Sequence, residues 1–84
     1  MNSRAKIIRE MIGRMPLTEA ENILKKNLSE REFFCVYHSR DVAGTYDLMA
    51  IAERLNTTES NIKKIRKRAY ERLAGVIGMH VDLN

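Results

Sequence analysis

Apolar residues recur at intervals of three and four along most of the chain, which is the spacing that one side of an α-helix requires. The first such stripe consists of Ile7, Ile8, Met11, Ile12 and Met15. It predicts a helix over residues 3–15 that ends at Pro16, because the residue before a proline is disfavoured in the α conformation.

Two short motifs predict where the second and third helices begin. In a capping box, a hydroxyl and a carboxylate three residues apart pair with the first free backbone amides of a helix. Thr18 and Glu21 have this spacing and predict a helix over residues 18–27. Ser29 and Glu32 repeat it and predict the start of a third helix.

The rest of the chain predicts a loop, a short fourth helix and a longer fifth helix. Residues 41–45 form the loop, and residues 48–55 form the fourth helix. Thr58 is a suitable cap for the fifth helix, which reaches Gly75 or Gly78. No stretch alternates between apolar and polar residues as a half-buried strand does. The sequence therefore predicts an all-α fold of about five helices.

Composition excludes several classes of protein. The chain has 84 residues, of which 44% are hydrophobic and 31% charged, the balance of a small soluble domain. Its single cysteine excludes an internal disulfide. No run approaches the roughly 18 apolar residues of a membrane span. Charges occur throughout residues 1–16, so we expect no signal peptide and a cytoplasmic location.

The residue pattern indicates neither catalytic nor metal chemistry. Cys35 stands between apolar residues and is interpreted as a small buried hydrophobe. His38 and His80 are far apart, and no cysteine, histidine and acid combine at a catalytic or metal-ligand spacing. We therefore expect no enzyme, no cofactor and no metal site.

The excess positive charge is confined to one segment. The net charge is +4, and residues 59–72 hold six basic and two acidic residues, whereas the other seventy residues hold nine of each. A basic stripe on one element is the electrostatic footprint of a protein that binds a polyanion. The alternative interpretation is a charged helix side that only meets solvent.

Residues 48–67 fit the steric pattern of a helix-turn-helix. Two crossing helices need a small side chain where they touch, and Ala52 stands there. The tight turn needs a residue that accepts a positive φ four positions later, and Asn56 is in that place. Thr57 departs from the pattern, because an aliphatic residue is more usual there. The apolar positions of the pattern are filled by Ile51, Leu55, Ile62 and Ile65. A plain helical hairpin with a polar turn is the alternative.

On these residues the chain resembles region four of bacterial sigma factors. Leu48 to Leu73 aligns without a gap with the half of that region that reads promoters. Upstream, residues 23–32 are similar to its leading helix and to the "Leu-Ser/Thr-x-Arg-Glu" start of its next helix. The resemblance covers roughly residues 17–75. At 84 residues the chain has room for one domain only, residues 1–84. It consists of an extra amphipathic helix over residues 1–16, this module over residues 17–75 and a tail over residues 76–84.

The LuxR-type DNA-binding domain is a close second resemblance, because it has the same helical core. Residues 51–55 and the pair Glu59-Ser60 fit it equally well. The loop around Gly44 is longer than is usual in LuxR-type domains, which favours the sigma-like interpretation.

The resemblance implies that the helix over residues 59–74 lies in the major groove of double-stranded DNA. The positions that match base-reading residues of sigma factors are Glu59, Ser60, Lys63 and Lys64. Primary sigma factors have Arg, Glu, Arg and Gln there, so only the basic character at Lys63 is retained and we expect a different DNA sequence to be read. The residues expected to contact phosphates are Arg54, Thr58, Asn61, Lys67, Arg68 and Arg72.

The function expected from these observations is that of a sequence-specific, double-stranded DNA-binding transcriptional regulator. The alternative is a sigma-like interaction module that binds RNA polymerase or a sigma antagonist, with the basic helix facing an acidic partner.

The helix over residues 3–15 has no counterpart in either family. Its apolar stripe must be covered, so it either lies on its own domain or meets the same stripe of a second chain. The short link at Pro16 favours a helical hairpin with residues 18–27. A homodimer through the first helix would supply the two-fold symmetry that helix-turn-helix proteins often use. Of the two we favour the dimer.

Overall fold

The computed structural model describes residues 3–78, and over these residues the chain is helical without any strand. The helices are α1 (Ser3–Arg14), α2 (Leu17–Asn27), α3 (Glu30–Tyr37), α4 (Leu48–Arg54) and α5 (Glu59–Gly78). The all-α fold class with five helices is thereby confirmed. α5 extends to Gly78, the later of its two predicted ends, so residues 76–78 of the predicted tail are helical and the rest of that tail lies outside the described residues.

Helix α5 is the element on which the others assemble. α1, α3 and α4 each pack against it, and α2 packs against α3. The buried residues form two clusters, a larger one built from α1, α2, α3 and α5 and a smaller one built from α3, α4 and α5. Consecutive residues of α3 serve both, since Val36 belongs to the larger cluster and Cys35 to the smaller.

The start of α2 differs from the prediction. The helix begins at Leu17 with Pro16 as its N-cap, and no side chain caps it. Pro16 has a φ of −55°, which the pyrrolidine ring fixes, and its carbonyl accepts the amide of Ala20 at 3.0 Å. Thr18 is therefore already inside the first turn, so the expected capping box of Thr18 and Glu21 is wrong.

The second predicted capping box is confirmed at the start of α3. The Ser29 hydroxyl accepts from the Glu32 amide at 3.2 Å, and the Glu32 carboxylate accepts from the Ser29 amide at 3.0 Å. Leu28 before the box and Phe33 within the helix both lie in the larger cluster. An apolar pair at these positions fixes the angle at which the chain enters a helix.

Helix α1 lies on its own domain and packs mainly against α5. Its buried side consists of Ala5, Ile8 and Ile12, which join the larger cluster. The expected hairpin with residues 18–27 is therefore wrong as a description of the main contact of α1. The apolar stripe is divided, because Ile7 and Met11 stay 44% and 43% exposed. A homodimer through this helix stays a prediction.

The loop between α3 and α4 is ordered by backbone hydrogen bonds to the end of α3. The Ser39 carbonyl accepts from the amides of Val42 and Gly44 at 3.1 and 2.8 Å. The Ser39 side chain is buried, and its hydroxyl donates to the Val36 carbonyl at 2.7 Å. Gly44 has a φ of +65°, a left-handed conformation that glycine adopts at no steric cost.

Within residues 3–78, none of the helices combines the length and the apolar character needed to cross a bilayer.

Two glycines inside helices provide a test of how closely α1 approaches the loop. Gly75 is exposed and a Cβ atom there would meet nothing within 4 Å, whereas a Cβ atom at Gly13 would lie 3.0 Å from the Asp41 carbonyl oxygen. We expect Gly75→Ala to raise the free energy of unfolding by about 0.5–1 kcal/mol, because alanine loses less backbone entropy. Gly13→Ala should gain nothing or lose stability, because the new methyl group displaces α1 from the loop.

Thermal unfolding followed by circular dichroism at 222 nm compares the two variants with the parent. Equal stabilisation by both substitutions would contradict the close approach of α1 to Asp41.

Candidate nucleic-acid interface

The turn between α4 and α5 has the conformation that the helix-turn-helix pattern requires. Asn56 has a φ of +53°, as predicted for the residue four after Ala52. The Ala52 carbonyl accepts from the Thr57 amide at 2.9 Å, which closes the turn against the end of α4. Asp47 caps α4, since its carboxylate accepts from the Ala50 amide at 2.8 Å.

The apolar positions of the pattern meet in one place. Ile51, Ala52 and Ile62 are buried in the smaller cluster, with Leu55 and Ile65 packed against it. Ala52 is 4% exposed and belongs to the cluster in which α4 packs against α5. The register predicted for α4, the turn and α5 is therefore the register of the structure.

A polar pair replaces the aliphatic contact that is usual in such a turn. Thr57 Oγ1 accepts from the side-chain amide of Asn61 at 2.9 Å. One residue on, Thr58 caps α5, because its hydroxyl oxygen accepts from the Asn61 backbone amide at 3.1 Å. Thr58 and Asn61, both expected to contact phosphates, thus also hold the turn in place. The Thr58 hydroxyl hydrogen and the Asn61 side-chain oxygen remain for a ligand.

Helix α5 has an apolar side and a cationic side along its length. Ile62, Ala69 and Leu73 are fully buried. The opposite side carries exposed residues at intervals of three and four, namely Ser60, Lys63, Lys64, Lys67 and Arg68. We call these five residues the outer face. Its four cations have no hydrogen-bond or ion-pair partner among residues 3–78. Glu59, the first residue of α5, is exposed next to this face.

The other two cations of the basic segment are engaged within the domain. Arg66 forms an ion pair with Asp41 of the loop before α4. Arg72 Nη1 donates at 2.6 Å to the Glu32 carboxylate oxygen that accepts the Ser29 amide in the capping box. Arg72 was expected to contact phosphate, but this ion pair attaches it to the start of α3.

Arg54 at the end of α4 stacks on an aromatic ring. Its guanidinium carbon lies 4.1 Å from the centre of the Tyr46 ring, and Tyr46 in turn stacks on Phe34. This cation–π contact orients an exposed arginine without neutralising its charge. His38 lies in the same aromatic group, and burial, together with the charge of Arg54, lowers its pKa.

On the α1 side of α5 the structure adds a cation that the sequence did not indicate. Arg9 of α1 lines a cleft with Lys63, Lys67 and Arg66 of α5. The spacing of residues along α1 alone could not show which side of α5 Arg9 reaches.

Among the described residues, no group of three or more metal-ligating side chains occurs. Cys35 is completely buried as predicted, and burial raises the pKa of its thiol, which keeps it in the unreactive protonated form.

No protein-family model, curated protein or solved structure matches this chain. The resemblance to region four of sigma factors therefore stays a prediction, and function has to be inferred from the residues and their geometry.

The close contact at Ala52 is tested by enlarging the side chain. We expect Ala52→Leu to lower the free energy of unfolding by about 1–3 kcal/mol or more, because the added atoms push α4 away from α5. Glu53→Leu is the matched control, since it places the same side chain on the exposed side of α4 and should change stability by about 0.5 kcal/mol or less. Urea titration measures both, and an Ala52→Leu variant as stable as the parent would show that the helix crossing lies elsewhere.

Proposed function

We propose that this protein is a sequence-specific, double-stranded DNA-binding transcriptional regulator that inserts α5 into the major groove. One observation carries the proposal: the outer face presents, on the second helix of a helix-turn-helix, four cations that are unpaired within residues 3–78. A solvated helix side is usually balanced by acids at neighbouring turns. Within residues 3–78, the acids that pair with cations of α5 belong to other parts of the chain and engage Arg66 and Arg72.

The position of each side chain along α5 supports a division of roles. In helix-turn-helix proteins the first residues of the second helix reach the base edges. Glu59, Ser60, Lys63 and Lys64 occupy the first two turns of α5. A glutamate accepts from the cytosine amino group, and a lysine donates to guanine O6 and N7, so this set is suited to G·C pairs.

Cations further along α5 are suited to phosphates. Lys67 and Arg68 lie one turn beyond the proposed base readers on the same side of the helix. Arg54, held over Tyr46 at the end of α4, is the phosphate contact on the other side of the turn. Together with Lys63 and Lys64 these residues supply about five positive charges, which corresponds to a slope near −4 to −5 for log affinity against log salt concentration.

A selection of preferred sites from random duplex DNA is the decisive experiment. Enrichment of a defined sequence supports base readout, and its symmetry shows whether one or two copies bind. The affinity for random duplex at two salt concentrations then measures the phosphate contribution. Absence of binding at low salt would contradict the proposal and favour the alternative, an interaction module for RNA polymerase or a sigma antagonist.

Substitutions at Lys64 and Arg68, one turn apart on α5, distinguish base readout from attraction to the phosphate charge. We expect Lys64→Ala to weaken binding to the selected site by about 1–3 kcal/mol more than binding to random duplex, because a base contact is lost. Arg68→Ala should weaken both equally, because a phosphate contact does not depend on sequence.

Lys26→Ala is the matched control for charge alone, since Lys26 is an exposed lysine of α2. Fluorescence anisotropy with labelled duplexes gives the affinities. Identical effects of Lys64→Ala and Arg68→Ala on the two duplexes would contradict base readout by the first turns of α5.

A further inference from the structure

A cleft of about 210 Å³ lies between α1 and α5 and is lined by cations. Its walls are formed by Arg9, Lys63, Arg66, Lys67 and Tyr70. Asp41 is the acid that balances part of this charge, through its ion pair with Arg66. A water molecule occupies about 30 Å³ in the liquid, so the cleft has room for a tetrahedral oxyanion with water around it.

Two buried polar groups beside this cleft lack well-aligned hydrogen bonds. The Tyr70 side chain is 2% exposed, and its hydroxyl lies next to the Arg66 side chain without a well-aligned hydrogen bond. The Nε atom of Arg66 is likewise buried without one. Buried polar groups are almost always satisfied in folded proteins, so two such groups side by side call for an explanation. Burial raises the pKa of Tyr70 to about 12, and its protonated hydroxyl can both donate and accept a hydrogen bond.

We propose that this cleft binds a phosphate group, and that the DNA backbone supplies it, which rests on the proposed function. Arginine and lysine are the side chains that proteins use for phosphate, and a tyrosine hydroxyl adds a directed donor. Four cations and the Tyr70 hydroxyl surround one small cleft, and Asp41 balances only one of these charges. Phosphate oxygens are acceptors that would balance the others and pair with the donors around the cleft.

The location of the cleft fits a backbone contact beside the groove. Lys63 and Lys67 belong to both the cleft and the outer face, so the cleft borders that face on the side of α1. A helix in the major groove has one sugar–phosphate backbone on each side. In this arrangement α1 extends the DNA surface beyond the helix-turn-helix and contributes Arg9 to it.

Substitutions at Arg9 and Tyr70 test the cleft in the full chain. We expect Arg9→Gln to weaken binding to random and to selected duplexes equally, by about tenfold. It should also reduce the slope of log affinity against log salt concentration by about one. Tyr70→Phe should weaken both by a similar factor with an unchanged slope, because the hydroxyl carries no charge. Arg14→Gln is the control, since it removes the same charge from α1 at a residue that does not line the cleft.

Tyr70→Phe also excludes a merely structural explanation. In the free protein the hydroxyl makes no well-aligned hydrogen bond, so its removal should change the unfolding temperature little. A variant that is as stable as the parent and binds DNA more weakly has lost a ligand contact. If Arg9→Gln and Tyr70→Phe both bind DNA like Arg14→Gln, the proposal is overturned.

A parent protein that binds no DNA would contradict the proposed function, and the cleft is then tested with inorganic pyrophosphate followed by NMR. Saturable shifts of the Arg9 and Tyr70 amides that are lost in Tyr70→Phe would show an oxyanion site that is not used for DNA. The absence of saturable shifts would overturn the cleft as a phosphate site as well.

Discussion

The fold depends on one helix that must be apolar along one side and cationic along the other. α5 is 20 residues long, and three of the four other helices pack against it. The neighbours of its buried side change along its length. Ile62 lies in the smaller cluster with α4, whereas Ala69 and Ala74 lie in the larger cluster with α1. Small residues allow a neighbouring backbone to come close, so this is the part of α5 that accepts the additional helix.

The same two-sidedness divides the basic segment into residues with different roles. Arg66 and Arg72 lie at the borders of the buried side and are neutralised by acids from distant parts of the chain. The lysines and Arg68 of the outer face have no acidic partner among residues 3–78. Some positive charges of this segment therefore stabilise the domain, and the others remain available to a ligand. A count of charges along the sequence does not distinguish the two groups.

Much of the local structure could be predicted because local chemistry determines it. The Ser29 capping box, the Thr58 cap and the positive φ of Asn56 involve residues within a few positions of one another. Thr18 was mispredicted for an equally local reason, since Pro16 starts the helix two residues earlier.

Contacts between distant parts of the chain were not predictable. The partner of Arg66 is 25 residues away and that of Arg72 is 40 residues away. The packing of α1 depended on which side of α5 carries small residues. The candidate cleft follows from that packing, so no pattern in the sequence could indicate it.

Asp41 lies between the two helices that frame this cleft. Its carbonyl oxygen lies 3.0 Å from the position that a Cβ atom at Gly13 of α1 would take, and its carboxylate is paired with Arg66 of α5. Connections between helices commonly open before the bundle unfolds, because few contacts hold them. This one cannot open without giving up its ion pair with α5 and its close contact with α1. The connection therefore belongs to the same cooperative unit as the helices that it contacts.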